Sequence, residues 1–592
     1  MIWPLFRPVI EKFLALSRLN GIYADALTNN SNSLFVERVL SAMDVTFLRS
    51  GVSQTRIPAI GPLITIANHP FGGVEGLVLA AVLLQVRSDV RILGNYFLER
   101  IPALREFIIP VDPFGGPGSQ RRNLAPLRRA LRWLESGGAL ATFPSGEVSH
   151  LDLRLRCVCD PSWSETIARL ARISKSAVLP VFFEGRNGAA FQLAGLLHSR
   201  LRTAMLPREL VKMCHRRIQL RIGQVIPPNR LDRIGDARQA TEYLRFRTYA
   251  LKRLENRTNE PFGLPDSNPP VDPIAAPRPR SELEREVQAL SDRRLLFAGP
   301  LSVYCTTASE IPTVLHEIGR LRELTFRPVG EGTGRSVDLD RFDSYYDHLF
   351  VWHDERHEII GAYRIGKTDK IIASHGLKGL YTHSLFKFKR ALLNQVGPAL
   401  ELGRSFVLSE FQRSFLPLML LWKGIGCLVR DEPRYRMLFG AVSISDQYDS
   451  MTKQLMIAFL KANFGHMELA RLVRPQNPPS LTPSGSLARR GMVKVVQSLD
   501  EFDQLVREIE SSERGLPVLL RQYLKLNGRL LGFNVDPEFG NALDGLILVD
   551  LIQTPVAILA RYLGADGAKS LFDYHGVHVP HVETAEPARD AG

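Results

Sequence analysis

The chain has 592 residues, 45% of them hydrophobic, too long for one ordinary core and too apolar for a disordered protein, so two to four domains are expected. Its net charge of +14 suits anionic partners: acidic lipids, nucleic acid or an acidic carrier protein. Five cysteines form an odd, scattered set, and the Cys157–Cys159 pair lacks the spacing of a zinc site, so a reduced cytoplasmic setting without a bound metal is expected.

Residues 1–51 open with "MIWPLFRPVIEKFLALSRL", which mixes Trp3, Phe6, Ile10 and Phe13 with Arg7, Lys12 and Arg18. It lacks a signal peptide's apolar core and cleavage site. It reads as an amphipathic helix, either lying on a membrane surface or packed on its own domain. Over 52–255, strand-like runs alternate with helical ones: "PLITIA", "VRILGN", "EFIIPV", "GALATFP", "AVLPVFFEG" and "IQLRIG". That alternation predicts an α/β domain with a substantial sheet. Residues 256–285 are rich in proline and polar residues, as an interdomain linker is. A second mixed α/β region follows over 286–555, with "HLFVWH", "EIIGAYRIG" and "LELGRSFVLS" as strands and helices from Phe415, then a tail over 556–592. The apolar stretch Phe415–Val429 is short and contains Lys423, so no transmembrane helix is expected.

Between a strand and an apolar helix lies "NHPFGGVEG", Asn68 to Gly76. His69 sits at the strand end and Glu75 in the first helical turn, with Pro70, Gly72 and Gly73 permitting a tight turn between them. A base facing a carboxylate can activate a weak nucleophile; the same pair can simply brace a loop. "FPSGEVS", Phe143 to Ser149, stands at another strand end.

These two motifs, with "REFIIPVDPFG" between them and "AVLPVFFEG" after them, resemble the glycerolipid acyltransferase family in order and spacing. The resemblance implies that His69 takes the proton of an acceptor hydroxyl attacking an acyl thioester, while Glu75 holds the imidazole. It also implies substrate contacts from Asn68, Phe143, Pro144, Ser145, Gly146 and Glu147. Backbone N–H groups near Gly146 or in the Gly72–Gly73 turn are candidates for oxyanion binding. Two departures stand out. Glu75 follows His69 after five residues, where the family places Asp after four. "SGEV" replaces the family's "EGTR", so the arginine suited to phosphate is missing at Val148. An acceptor without glycerol phosphate is therefore expected, unless Arg121 or Arg122 supplies the contact.

In the second half, "LRELTFRPVGEG", "DLDRFDSYYDHLFVW", "GAYRIG" and "LELGRSFVL" succeed one another. This succession resembles the acyl-homoserine-lactone synthases and the ornithine N-acyltransferases, both within the GNAT fold. The matching positions are Arg322, Phe326, Asp340, Asp343, Arg364, Glu401 and Arg404. The resemblance implies that Glu401, with Asp343 and Asp340, binds the acceptor ammonium and removes its proton. Arg322, Arg364 or Arg404 would hold the acceptor's carboxylate, and the thioester donor would lie beside splayed central strands. Scattered Asp and Arg residues also form ordinary surface ion pairs.

Together the halves resemble the bifunctional ornithine lipid synthases. That implies N-acylation of an amino acid, ornithine or else glycine or glutamine, and then O-acylation of the attached 3-hydroxyacyl chain. Acyl carrier protein or coenzyme A would bring the acyl group as substrate, with no cofactor. The basic stretches Arg121–Trp133 and Ser199–Arg221 suit acyl carrier protein and membrane lipids, and no nucleic-acid module accompanies them. The expected location is peripheral, on the inner face of a bacterial membrane. Two alternatives are a lysophospholipid acyltransferase with an inactive GNAT domain and a non-catalytic, haemolysin-like membrane-binding protein.

Overall fold

The computed structural model describes residues 11, 14–28, 34–49, 56–112, 118–252, 271–481, 491, 496, 498–510 and 514–578. Most of the amphipathic N-terminus, much of the proline-rich linker, Pro113 to Pro117 and the end of the tail lie outside them. The expected α/β class is the one observed, in two units.

All six apolar runs of the first half are strands of one sheet. Its members are β1 (Thr46–Arg49), β2 (Leu63–Ala67), β3 (Val90–Asn95), β4 (Ile108–Val111), β5 (Ala139–Thr142), β8 (Ala177–Phe183) and β9 (Arg217–Ile222). Their order is β1-β9-β8-β2-β5-β3-β4. Neighbours are parallel except β8 and β9. Every residue of β2 and β5 is buried, which explains why these strands read as unbroken apolar runs without alternation. A short hairpin, β6 (His150–Asp152) with β7 (Cys157–Cys159), was not anticipated. Because β2, β5 and β8 run in parallel, the segments that follow them, beginning at Asn68, Phe143 and Glu184, leave one edge of the sheet. Ligands of open α/β sheets bind at that edge.

The helix Val74–Leu84 follows β2 and buries eight of its eleven residues, Glu75 among them. This unit comprises Met1–Glu255 together with Ser450–Leu455 and Leu481–Gly515. The expected boundaries treat 286–555 as continuous and so do not foresee that exchange. The helix Leu499–Ile509 brings Glu508 onto buried Arg247, which Tyr243 also contacts.

The second unit holds an eight-stranded sheet of β10 (Arg294–Ala298), β11 (Leu301–Thr307), β12 (Asp347–His353), β13 (Glu358–Lys367), β15 (Ala399–Val407), β16 (Met437–Ile444), β18 (Arg529–Asp536) and β19 (Ala542–Asp550). Their order is β10-β11-β12-β13-β15-β16-β19-β18. A small pair, β14 (Phe386–Phe388) with β17 (Val473–Pro475), lies apart from it. One parallel contact interrupts the antiparallel run. β15 and β16 pair only where Ala399–Glu401 meets Met437–Phe439. Beyond Glu401, β15 stays with β13 and β16 stays with β19, so the two central strands part. At the parting, Gly403 has no atom within 4 Å of where a side chain would begin. The helix Leu416–Asp431 is largely buried. Among the described residues no helix is long and apolar enough to cross a membrane.

Candidate functional site

In the first unit the Gly-Gly turn closes the longer spacing. His69 Nδ1 lies 3.0 Å from Glu75 Oε1. Glu75 Oε1 also accepts the N–H groups of Phe71 and Gly72 at 2.8 and 2.7 Å, and Oε2 accepts that of Gly73 at 2.9 Å. Burial alone would push the Glu75 carboxyl up. The adjoining His69 and the turn's N–H groups outweigh it and hold the pKa below its ordinary value. Gly72 has φ +94°, and a β-carbon there would meet Leu206 at 2.5 Å and Val148 at 2.9 Å, so only glycine fits.

The imidazole stacks on Phe143, with ring centroids 4.4 Å apart, and keeps partial access to solvent, its side chain being 17% exposed. A carboxylate on one nitrogen, a ring beneath and solvent beyond form an arrangement able to accept a proton from a bound hydroxyl.

Asp160, which no motif singles out, braces this site. Its Oδ1 accepts the His69 N–H at 3.1 Å and the Ser149 hydroxyl, and its Oδ2 accepts the Trp163 indole at 2.9 Å. It lies 91 residues from His69, on the end of the unforeseen hairpin.

Several expected contacts change meaning. The N–H groups of Gly72 and Gly73 are donated to Glu75, and that of Gly146 to the Phe143 carbonyl at 3.0 Å, so none of the three is open to an oxyanion. The Asn68 amide is engaged on both sides by the backbone of Phe183, at 2.9 and 2.7 Å, and ties β2 to β8 instead of facing a substrate. Pro144 accepts the Ser164 N–H, and the Ser145 hydroxyl donates to the Glu147 carbonyl at 2.8 Å. Val148 is buried against Phe191 and Met205, a setting that has no place for a phosphate-binding guanidinium. Arginine reaches the motif from elsewhere: Arg202 pairs with Glu147 at 2.6 Å. Arg122 is paired with Asp112.

In the second unit Arg322, Arg364 and Arg404 meet Asp338, Asp340 and Asp343, three charges against three. Arg322 donates to Asp343 at 2.9 Å, and Arg364 lies 2.6 Å from Asp340 and 3.3 Å from Asp343. Arg404 lies 3.1 Å from Asp338 and 3.4 Å from Asp340, with Tyr381 and Phe539 against its guanidinium. Arg322 and Arg364 are at most 1% exposed, and the rings of Phe342, Tyr346 and Tyr381 surround Arg364. Both are buried among these partners, yet Nε and Nη2 of each have no hydrogen-bond partner among the described residues. At Asp343 burial would raise the pKa, but Arg322 and Arg364 hold it far below the carboxylate range. Asp340, which caps the turn Arg341–Ser344, and Arg404, on β15 with φ +49°, form the more open end of the network.

Glu401 stands apart from these pairs. It is 1% exposed, accepts the Thr382 and Tyr381 N–H groups at 2.6 and 3.3 Å, and accepts the Tyr346 hydroxyl. Burial raises its pKa. It is the last residue of β15 before the strands part. His348 is a further residue that sequence reasoning passed over. Its Nε2 lies 2.9 Å from the Asp343 carbonyl, and burial beside Arg322 lowers its pKa to about 4.

Residues 25–257 match the family described as acyltransferase, and residues 321–423 match the acetyltransferase (GNAT) domain. The chain is 31% identical over 330 residues to the glycine N(alpha)-acyltransferase of Bacteroides thetaiotaomicron, covering 52% of this chain and 97% of that protein. The chain belongs to this acyltransferase family. It is also 27% identical over 224 residues to the lyso-glycine lipid O-acyltransferase of Phocaeicola vulgatus, covering 37% of this chain and 77% of that protein. Among solved structures it is similar to the 1-acyl-sn-glycerophosphate acyltransferase PlsC from Thermotoga maritima, at 13% identity over 40% of this chain and 90% of that one, with a TM-score of 0.24. As an acyltransferase with two such domains, the chain is not the non-catalytic membrane-binding protein of the last alternative.

Proposed function

We propose that this acyltransferase performs two successive transfers on one amino-acid lipid. The second unit would N-acylate an amino acid, ornithine in the favoured reading, with a 3-hydroxyacyl group from acyl carrier protein. The first unit would then O-acylate the 3-hydroxyl. What carries the reading is the presence in one chain of likenesses to two enzymes, one named for N-acylation of glycine and one for O-acylation of a lyso-glycine lipid.

In the first transfer the neutral amine attacks the thioester carbonyl, the C–N bond forms, the C–S bond breaks and the thiolate leaves. The proton lost by nitrogen balances the thiol. The parted strands β15 and β16 offer the donor's pantetheine arm open backbone edges. Glu401 has no open face of its own, so any proton it exchanges passes through the Tyr346 hydroxyl. It is better placed to fix Tyr346 and the Tyr381–Thr382 backbone beside the opening than to touch substrate. The three-by-three charge network braces the same wall.

In the second transfer His69 accepts the hydroxyl proton as oxygen attacks a second thioester, and Glu75 stabilises the resulting imidazolium. His69 then returns the proton to the leaving thiolate. The buried, apolar setting of Val148 supports an acceptor without a glycerol phosphate. A direct test supplies the purified chain with acyl carrier protein thioester and either an N-(3-hydroxyacyl)ornithine or lysophosphatidic acid. Acylation of the first, absent in His69→Ala, is expected. Acylation of lysophosphatidic acid alone would replace this reading with a lysophospholipid acyltransferase.

A further inference from the structure

Beyond the point where β15 and β16 part, one face of the second sheet gathers carboxylates other than the candidate site residues named from the sequence. Ser443 of β16 and Asn534 of β18 both stand opposite Asp544 of β19. Residues so paired share a face, with β-carbons about 5 Å apart. Asp536 follows Asn534 by two residues on β18 and points to the same side. Glu331 joins them from outside the sheet, accepting the Ser443 hydroxyl at 2.8 Å.

Among the described residues, none of Glu331, Asp536 and Asp544 forms an ion pair. Asp544 is 5% exposed, and its Oδ2 has no hydrogen-bond partner. Oδ1 of Asp536 receives the N–H of Glu538 at 3.0 Å. The Arg404 guanidinium lowers the pKa of Asp536 and Asp544 but is itself already matched by Asp338 and Asp340. Phe539, three residues past Asp536, stacks on Arg404 at 4.2 Å and so places the acidic face beside the opening. Burial raises the pKa of all three carboxyl groups, and Asp536 and Glu331 raise that of Asp544 further. Buried carboxylates this close, without a cation, are costly to keep ionised. A bound cation removes that cost.

We propose that Glu331, Asp536 and Asp544 bind the side-chain ammonium of a basic amino-acid acceptor, a diamino acid whose other amine is acylated at the strand opening. This rests on the N-acyl transfer proposed above and adds what selects the acceptor. The reacting amine must give up its proton, and an anionic pocket raises the pKa of any ammonium it holds. Three carboxylates therefore suit the amine that stays charged, not the nucleophile.

The test measures kcat/KM of the full chain with a 3-hydroxyacyl carrier protein donor and three acceptors: ornithine, its uncharged counterpart norvaline, and glycine. The wild type should prefer ornithine over norvaline by at least about tenfold, well inside the roughly 10⁴-fold by which a pocket built for a polar group rejects one lacking it. Asp544→Asn should lower that ratio by about the same factor, with the change carried by KM for ornithine. Glu331→Gln, at a less buried position, should move the ratio in the same direction if Asp544→Asn fails to fold. A wild type with no preference would overturn the proposal, as would variants that lose activity equally with all three acceptors or with none. If the wild type acylates glycine and norvaline but not ornithine, the acidic site is refuted while N-acyl transfer stands. If it acylates none of the three, the transfer itself fails.

Discussion

Glu75 shows how one carboxylate can serve both a loop and a reaction. Its two oxygens receive three backbone N–H groups and still face His69, so the turn holds the imidazole rather than merely standing beside it. Glu75→Gln keeps the length but removes the charge that stabilises an imidazolium and sets an amide NH2 against a backbone N–H that an oxygen now accepts. The O-acylation rate should fall by about a hundredfold or more, with KM for the lyso-lipid nearly unchanged, in steady-state kinetics. His69→Ala should lose the same step altogether. His348 offers a prediction about pH. Its folded pKa of about 4 lies below the usual 6.5, so between these values the unfolded chain binds more protons. Stability contributed by keeping it neutral is complete above pH 6.5 and declines as pH falls toward 4. Denaturant midpoints of wild type and His348→Asn should therefore diverge with pH across that window, by on the order of 3 kcal/mol at its lower end. A constant difference would show that the histidine does not titrate in this way.

At the scale of elements, the turn between β2 and its helix governs the first site. Gly72→Ala imposes a left-handed backbone on a residue with a β-carbon and drives that carbon into Leu206 and Val148. The cost should be on the order of 1–3 kcal/mol, with loss of O-acylation exceeding any loss of N-acylation, measured by thermal unfolding and by both assays. The strands that frame this turn were legible because β2, β5 and β8 are buried on both faces and so appear as short apolar runs between glycines and prolines. The His69–Glu75 pairing was legible from its place between strand and helix. Asp160 was not, because His69, the partner that ties it to the site, lies 91 residues away and "CVCD" draws the eye to cysteines. The oxyanion donors were misread for a related reason. Sequence marks the glycines of a turn but not which acceptor their N–H groups already satisfy.

Across the whole chain, charge is organised in two ways that a residue list cannot separate. Arg322, Arg364 and Arg404 with Asp338, Asp340 and Asp343 form a closed set in which every charge has a partner. Glu331, Asp536 and Asp544 form an open one. The succession of motif residues pointed to the first set as substrate-binding, whereas burial assigns most of it to bracing the wall of the opening. Removing one member of that set leaves a buried charge uncompensated, so Arg322→Ala should cost about 3–5 kcal/mol and diminish N-acylation through stability, read by chemical unfolding alongside activity. The exchange of Leu481–Gly515 into the first unit was equally hidden, since Glu508 looks like any other surface acid until it meets Arg247.

The central claim is that two sites in one chain act in sequence on one lipid. The most direct test is mass spectrometry of lipid extracts from cells expressing wild type, His69→Ala or Glu401→Gln, with ornithine and 3-hydroxyacyl carrier protein available. Wild type should yield a diacylated amino-acid lipid, and His69→Ala only its monoacyl precursor. Glu401→Gln should yield neither, until lyso-lipid is supplied and the diacyl product returns. Diacyl lipid at wild-type levels in His69→Ala, or no amino-acid lipid from the wild type, would contradict the account.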